Sequence, residues 1–212
     1  MPAPTANATL SFGTIILAAG RSQRMGRPKL LLPWGPTSVL GHLLAQWQKL
    51  GAEQIAIVRA QDDHALQAEL DRLACPIAEP ILNPAPEQGM FSSLQCASRW
   101  PGWKADLTHF VVALGDQPHL SPETLAVILN FSAAHPDRIC QPRHDGHRRH
   151  PVLLPRWALQ DLARSTTQDF RQFLDSASQG SSEYCELKDP ALMLDLDSPG
   201  DYEKALTLYG PR

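Results

Sequence analysis

A basic loop near the start of the chain has the residue types that bind phosphate. Four cations lie within nine residues there, with no acidic residue between them: Arg21, Arg24, Arg27 and Lys29. Arginine can donate two parallel hydrogen bonds to phosphate oxygens, and lysine supplies a compact charge. Gly20 and Gly26 can take positive φ and let backbone N–H groups approach an anion closely. Because unpaired cations repel one another, we favour an anion-binding loop over the alternative, a solvated basic loop.

The loop differs from the two best-known phosphate-binding motifs. Five residues separate Gly20 from Gly26, and neither Ser nor Thr follows Lys29, as a Walker A motif requires. The spacing also differs from the GxGxxG fingerprint of dinucleotide-binding proteins. Spacing and charge alone therefore predict only an anion-binding loop behind a first strand.

Asp116 follows an apolar run, FVVAL (residues 110–114), in the sequence ALGDQP. In open α/β sheets ligands bind outside the carboxyl ends of the strands, so we expect Asp116 and the Gly20 loop at one rim. A carboxylate there can hold Mg²⁺, which takes oxygen ligands and keeps waters beside substrate phosphates. The alternative is an ordinary turn aspartate.

A second acidic pair lies near the end of the chain. LMLDLDSPGDY (residues 192–202) alternates Leu and Asp, which predicts a strand with Asp195 and Asp197 on one face. Two carboxylates on one face repel each other unless a cation lies near them. The alternative is that both acids only precede the final helix, which Ser198 and Pro199 would begin.

A turn-rich segment, NPAPEQGMFSSLQCA (residues 83–97), predicts a loop that enters a helix near Met90. Ser92 and Ser93 would lie in the first turn, where free N–H groups attract anions or carbonyls. The alternative is a plain helix start.

The elements that position these residues alternate along the chain. Apolar runs of strand length, TIILAA (residues 14–19), QIAIV (54–58) and FVVAL, are separated by stretches of helical periodicity. Ser121 and Ser198 precede prolines where helices should begin. This alternation predicts an α/β domain with a mostly parallel sheet. The segment RICQPRHDGHRRHPVLL turns at Asp145–Gly146 and predicts a small antiparallel addition.

Length and composition limit the function classes. The 212 residues suit one domain over residues 13–212 behind a flexible tail over residues 1–12. A net charge of −3 gives no reason for nucleic-acid binding, and no apolar run approaches membrane length. The N-terminus does not resemble a signal peptide, so we expect a cytoplasmic protein. Four scattered cysteines, without metal-site spacing, are expected to be reduced thiols: Cys75, Cys96, Cys140 and Cys185.

One family resemblance is specific. LAAGRSQRMGRPKLLLPW resembles the signature LAAGxSxRMGxxK of the nucleotidyltransferase superfamily with the MobA/GlmU-type fold. The following KLLLP, and Ala-Ala-Gly where guanylyl-transferring members commonly have Ala-Gly-Gly, are similar to the MocA branch, which includes molybdenum cofactor cytidylyltransferases. The resemblance implies a three-layer Rossmann-like fold. It also implies a set of nucleotide-binding residues: Leu17, Ala18, Ala19, Gly20, Arg24, Lys29, Gly89 and Ser93.

Three later segments extend the resemblance. GDQP matches the family's metal-binding aspartate motif at Asp116, and DLDSPGDY resembles DIDTPEDY, which implies Asp197 as a second metal ligand with Asp195 behind it. The segment holding Gly89 and Ser93 resembles NPxxxxGMxxSL, which lies against the base and sugar. RRHPVL resembles GHPVL, thought to face the second substrate. That match implies His150 as an acceptor contact, with Arg149 where the family usually has glycine. The alternative is an ordinary histidine on a half-exposed hairpin.

The implied reaction is Mg²⁺-dependent transfer of a nucleotidyl group from CTP to the phosphate of molybdopterin cofactor, with release of pyrophosphate. Arg24, Lys29 and Asp116 would be the catalytic residues. A recipient molybdoenzyme or its maturation chaperone is the implied protein partner, and no nucleic-acid or membrane partner is expected. We expect Lys29, as an exposed loop lysine, to contribute little to folding.

Two alternatives stay open. The first is an enzyme of the same fold that uses GTP or another phosphorylated acceptor, such as a sugar phosphate or a methylerythritol-type phosphate. The second is a non-catalytic protein that binds and delivers a nucleotide or cofactor. Arg24, Lys29 and Asp116 together argue against the second.

Overall fold

A computed structural model describes residues 10–20, 22, 24–177 and 181–211. The strands in the described residues are β1 (Phe12–Leu17), β2 (Pro33–Trp34), β3 (Thr37–Ser38), β4 (Gln54–Ala60), β5 (Ala78–Asn83), β6 (His109–Leu114), β7 (Ile139–His144), β8 (His147–Arg148), β9 (Val152–Pro155) and β10 (Ser182–Glu186). The helices are α1 (Val39–Lys49), α2 (His64–Leu73), α3 (Met90–Arg99), α4 (Pro122–Ala134), α5 (Arg156–Arg164), α6 (Phe170–Ser176) and α7 (Pro199–Tyr209). Short 3₁₀ helices cover Lys29–Leu31, Pro86–Gln88 and Pro190–Met193.

The main sheet is mostly parallel, as predicted. Its strand order is β10-β7-β9-β6-β1-β4-β5, and β8 pairs with β7. β1 pairs in parallel with both β4 and β6. β9 runs antiparallel to β6 and β7, and β8 runs antiparallel to β7 around the predicted turn at residues 145–146. The predicted small antiparallel addition is therefore β8 and β9.

Helices cover both faces of this sheet, which gives the predicted three-layer architecture. Neighbouring strand residues point to opposite faces, so Ile16 packs with α1, α4 and α7 while Ile15 packs with α3, α5 and α6. The same alternation holds in β6, where Val111 joins the first core and Phe110 the second. Strands buried on both faces explain the continuous apolar runs in the sequence.

The site-bearing loops follow the carboxyl ends of β1, β4, β5 and β6. We call this edge of the sheet the rim. After β1 the chain builds outward through β4 and β5, and then returns to β6 on the other side of β1. The reversal lies between β1 and β6, where open α/β sheets bind their ligands.

The structure differs from the sequence prediction in two segments and agrees with it at two helix caps. The segment with Asp195 and Asp197 is not a strand, because residues 194–197 are irregular and follow a 3₁₀ helix. β1 begins at Phe12, within the predicted tail, and residues 1–9 of that tail lie outside the described residues. The Ser121 and Ser198 caps are confirmed, and Ser198 forms a reciprocal capping box with Asp201.

Within the described ranges, each helix is too short or too polar to span a membrane. All four cysteines are free thiols, and Cys140 and Cys185 are buried.

Candidate functional site

The loop after β1, residues 18–29, is shaped by hydrogen bonds around Ser22, and we call it the phosphate loop. The Ser22 carbonyl accepts from the Met25 and Gly26 N–H groups at 3.1 and 3.2 Å, and its Oγ accepts from the Lys29 N–H at 3.2 Å. Ser22 has φ 47° and Gly26 has φ 69°, so the turn uses left-handed backbone at both positions. Gly20 does not use such a torsion, but a Cβ there would meet nothing within 4 Å, which leaves its face open to a ligand. Arg21 lies outside the described residues.

The Lys29 ammonium group joins the phosphate loop to two carboxylates. Its Nζ lies 2.6 Å from Asp116 Oδ2 and 3.6 Å from Asp197 Oδ1. Arg24 Nη2 lies 2.9 Å from Asp197 Oδ2. Two cations and two acids that are distant in sequence therefore converge at the rim. The Lys29 side chain is only 19% exposed, so the expectation of an exposed lysine is wrong.

The two acids of the final segment have different neighbours. The backbone carbonyl of Asp116 accepts from the Leu196 N–H at 3.0 Å, which anchors the segment beside β6. Gln117 Nε2 donates to Asp195 Oδ1 at 2.8 Å, away from the lysine. Burial, and then the charge of Asp116, raises the pKa of Asp195 above its ordinary value. Asp197 contacts two cations of the phosphate loop, Arg24 and Lys29, and among the described residues Asp195 forms no such ion pair.

A cavity of about 230 Å³ lies over the rim, and we call it the first cavity. Most of the predicted nucleotide-binding residues line it: Leu17, Ala18, Ala19, Gly20, Lys29, Gly89 and Ser93, together with Asp116. Arg24 and Asp197 do not line it but pair with each other beside Lys29. The phosphate loop, the β6 acid and the start of α3 therefore form one continuous wall.

Sequence reasoning missed several residues of this wall: Ser22, Pro28, Asp63, Pro86, Met90 and Gly115. Asp63 could have been found, because it follows β4 at the same rim and caps α2 by accepting from the Leu66 N–H at 2.9 Å. Gly115 precedes the predicted acid, and a Cβ there would lie 2.9 Å from both the Leu17 carbonyl oxygen and Leu30 Cδ2. A glycine is therefore needed where β1 and β6 approach beneath the site.

His150 lies in a different place from the phosphate loop. It lines a second cavity of about 300 Å³, whose wall shares Met90 with the first cavity. Burial lowers the pKa of His150 below its ordinary value, which favours a neutral ring near pH 7. The structure thus separates His150 from the nucleotide-binding candidates but brings it to an adjoining space.

The second cavity is rich in cations. Arg148, Arg149, Arg171 and His147 line it with His150. Arg148 Nη1 is paired with Asp175 Oδ1 at 2.6 Å. Arg149 Nε is buried without a hydrogen-bond partner among the described residues, and Arg149 Nη2 contacts the Met193 sulfur at 2.7 Å. Arg149 does not have positive φ, so this backbone does not demand the glycine that the family resemblance led us to expect.

Comparison with known proteins decides the family. Residues 14–181 match the family model described as the MobA-like NTP transferase domain. The chain belongs to this family. It is a nucleotidyltransferase of the α/β fold described above.

Three relatives illustrate the similarity. The molybdenum cofactor cytidylyltransferase of Escherichia coli (strain K12) is 27% identical over 198 residues, covering 92% of this chain and 95% of that protein. The molybdenum cofactor guanylyltransferase of Xanthomonas euvesicatoria pv. vesicatoria (strain 85-10) is 31% identical over 115 residues, covering 54% and 52%. The crystal structure of Rv0371c from Mycobacterium tuberculosis H37Rv is 26% identical with a TM-score of 0.75, covering 94% and 100%. Its complex with manganese is 27% identical with a TM-score of 0.68, covering 93% and 99%.

Proposed function

We propose that the chain transfers a cytidylyl group from CTP to the phosphate of molybdopterin cofactor and releases pyrophosphate. The observation that carries this proposal is the Lys29 ammonium group, which lies between Asp116 and Asp197 on the wall of the first cavity. A site that pairs cations with carboxylates in this way suits a triphosphate that arrives with a divalent metal ion. The likeness to a cytidylyltransferase over 92% of the chain supports the choice of reaction.

The carboxylates fit a magnesium ion that is shared with the substrate. Asp116 Oδ1 is buried without a hydrogen-bond partner among the described residues, so it is free to accept a cation. The described ranges contain no group of three or more His, Cys, Asp or Glu side chains placed to hold a metal. Mg²⁺ commonly binds through one or two carboxylates plus substrate phosphates and waters, which matches Asp116 and Asp197. The manganese complex of a relative supports a divalent ion in this fold.

The reaction needs position and charge rather than a covalent enzyme intermediate. An oxygen of the acceptor phosphate forms a bond to the α-phosphorus of CTP, and the bond from that phosphorus to the bridging oxygen breaks. The departing pyrophosphate takes the electron pair. Lys29 and Arg24 would bind the β- and γ-phosphate oxygens and stabilise the charge that builds there. Mg²⁺, when bound, supplies further neutralisation of the α-phosphate and the leaving group.

Triphosphate binding requires the present ion pairs to rearrange. Lys29 and Arg24 now contact the acids that would hold the metal. In the complex, Asp116 and Asp197 would hold the metal ion, and Lys29 and Arg24 would bind the phosphates in place of the acids. Each charged group would then still have an opposite partner, so binding need not leave a buried charge unpaired.

The cavity wall supports CTP as the donor. Ala19 lines the first cavity at the position where guanylyl-transferring members commonly carry the first glycine of Ala-Gly-Gly. The Ala-Ala-Gly form is similar to the branch that includes molybdenum cofactor cytidylyltransferases. GTP is the alternative donor, and the guanylyltransferase relative keeps it open at 31% identity over 54% of the chain.

The second cavity supports an anionic acceptor. Three arginines line it, and of these Arg148 is paired with an acid, Asp175, so the cavity has an excess of positive charge. Because the two cavities share Met90, an acceptor phosphate there could reach a nucleotide in the first. A molybdoenzyme or its maturation chaperone would then receive the product.

A panel assay tests the proposal. Each of CTP, GTP, ATP and UTP is incubated with Mg²⁺ and one acceptor: molybdopterin cofactor, a sugar phosphate or methylerythritol phosphate. We expect pyrophosphate release only with CTP and molybdopterin cofactor. Release with another acceptor or with GTP would replace the proposed substrates within the same reaction class. Nucleotide binding without pyrophosphate release from any pair would favour a delivery protein instead.

A further inference from the structure

A buried amide at the end of β5 controls the loop that leads into α3. Asn83 is 1% exposed, and its Oδ1 accepts from the Ala85 backbone N–H at 2.9 Å. A backbone N–H can only donate, so this bond identifies the oxygen side of the amide. The NH₂ side must therefore face the start of α3.

That NH₂ group donates to two neighbouring hydroxyls. Asn83 Nδ2 lies 2.8 Å from Ser92 Oγ and 2.9 Å from Ser93 Oγ. Ser92 has carbonyl acceptors for its own proton, since its Oγ lies 2.8 Å from the Gly89 oxygen and 3.1 Å from the Ala85 oxygen. Ser92 is thus satisfied within the loop, both as an acceptor and as a donor.

Ser93 is satisfied only as an acceptor. Its hydroxyl takes the Asn83 proton, but within the described residues its own proton has no hydrogen-bond acceptor. Ser93 is 3% exposed and lines the first cavity beside apolar groups such as Leu17 and Leu66. A hydroxyl proton left without an acceptor in such a place costs free energy, and a ligand atom that accepts it removes that cost.

We propose that Asn83 is a positioning residue that makes the Ser93 hydroxyl a hydrogen-bond donor to the base of the bound nucleotide. The group it selects is a base acceptor, a carbonyl oxygen or an unprotonated ring nitrogen, both of which cytosine presents. This inference rests on the proposed function, because it assumes that a nucleoside triphosphate occupies the first cavity. It specifies that Ser93 is the donor in its hydrogen bond to the base. The Asn83 amide sets this direction, because a serine hydroxyl alone could either donate or accept.

Two substitutions distinguish the direction of the Ser93 hydrogen bond from a purely structural role of Asn83 and Ser93. Ser93→Ala removes the donor and leaves the amide in place. Asn83→Asp keeps the side-chain shape and still accepts from the Ala85 N–H, but its carboxylate would accept the Ser93 proton and turn the serine lone pairs toward the cavity. Both variants should bind more weakly a nucleotide whose base offers a hydrogen-bond acceptor. Ser98→Ala, on the same helix with its Oγ bonded to the Gln95 carbonyl at 2.9 Å, is the matched control.

The experiment is calorimetric titration of the full chain, with Mg²⁺ present, using CTP and the base-free probe ribose 5′-triphosphate. For Ser93→Ala and Asn83→Asp we expect the Kd of CTP to rise roughly tenfold, the worth of one hydrogen bond, and the Kd of ribose 5′-triphosphate to stay unchanged. Ser98→Ala should match wild type for both probes. A base-selective loss is a result that a merely structural role for Asn83 would not produce.

The contrary outcomes are distinct. If Ser93→Ala binds CTP as wild type does, or if it loses both probes equally, the donor role is wrong while nucleotide binding stands. Ser93→Ala decides this point even if Asn83→Asp fails to fold. If wild type binds neither probe, the proposed function fails and this inference fails with it.

Discussion

Replacing Lys29 with Met should damage both folding and catalysis, but catalysis more. Methionine keeps most of the side-chain length and removes the charge, so Asp116 and Asp197 lose their shared cation. Exposed ion pairs contribute less than about 1 kcal/mol, whereas breaking a buried pair costs about 3–5 kcal/mol. The Lys29 and Asp116 side chains are 19% and 18% exposed, which is between these limits. We expect a loss of about 2 kcal/mol, or roughly 4–8 °C in Tm.

The catalytic loss follows from the charge that Lys29 would present to the triphosphate. Removing one preorganised donor from a developing anion typically lowers kcat by about 10²–10³-fold, or about 3–4 kcal/mol. Pyrophosphate release measures this loss, and thermal melting measures the loss of stability. Arg72→Met is the control for activity, because its pair with Glu69 is away from the first cavity; the two side chains are 60% and 14% exposed. It should leave pyrophosphate release unchanged.

The double variant Lys29→Met with Asp116→Asn sharpens the test. Removing the acid as well eliminates the uncompensated charge, so stability should recover while activity stays low. In Lys29→Met alone, binding of Mn²⁺ without nucleotide should tighten, because the acids no longer have a competing ammonium group. A Lys29→Met variant with a lower Tm but no loss of rate would refute this reasoning. So would a double variant that is less stable than Lys29→Met alone.

Burial lowers the pKa of four histidines below the ordinary 6.5, namely His42, His109, His119 and His150. Below pH 6.5 the unfolded chain therefore binds more protons than the folded chain, and the stability of the fold should fall as the pH is lowered. A Tm that stays constant or rises from about pH 8 to about pH 5 would contradict this, and His109→Gln should flatten the slope. Gly115→Ala should lower activity well beyond its effect on Tm, because its Cβ would press on the Leu17 carbonyl at 2.9 Å; wild-type turnover would contradict it. Ser198→Ala should cost about 1 kcal/mol through loss of the capping box, seen as a lower Tm, and an unchanged Tm would argue against the cap.

Much of the fold could be predicted because its signals are local. Continuous apolar runs mark strands covered on both faces, and Ser-Pro pairs mark the starts of α4 and α7. The meeting of Lys29 with Asp116 was also accessible, since carboxyl ends of parallel strands share one edge. The exact ion-pair partner of each charged side chain could not be predicted, because it depends on where the loops fold over that edge.

The failed expectations have tertiary causes. The Leu–Asp alternation over residues 194–197 has the period of a strand, but the segment instead bonds to the Asp116 carbonyl through Leu196 and makes no ladder. Lys29 is polar and ends the phosphate loop, yet its side chain is only 19% exposed and forms an ion pair with Asp116. The role of Asn83 was invisible because an Asn-Pro pair reads as a turn, and its hydrogen bonds reach a helix ten residues further on.

Calorimetric titration of CTP, with and without Mg²⁺, into wild type, Lys29→Met and Asp116→Asn tests the central claim most directly. That claim is that the phosphate loop and the β6 acid act on one bound triphosphate and its metal ion. We expect tight binding only for wild type with Mg²⁺, with weak binding by Lys29→Met and loss of the magnesium dependence in Asp116→Asn. Equal, magnesium-dependent affinity for CTP in all three proteins would contradict the account.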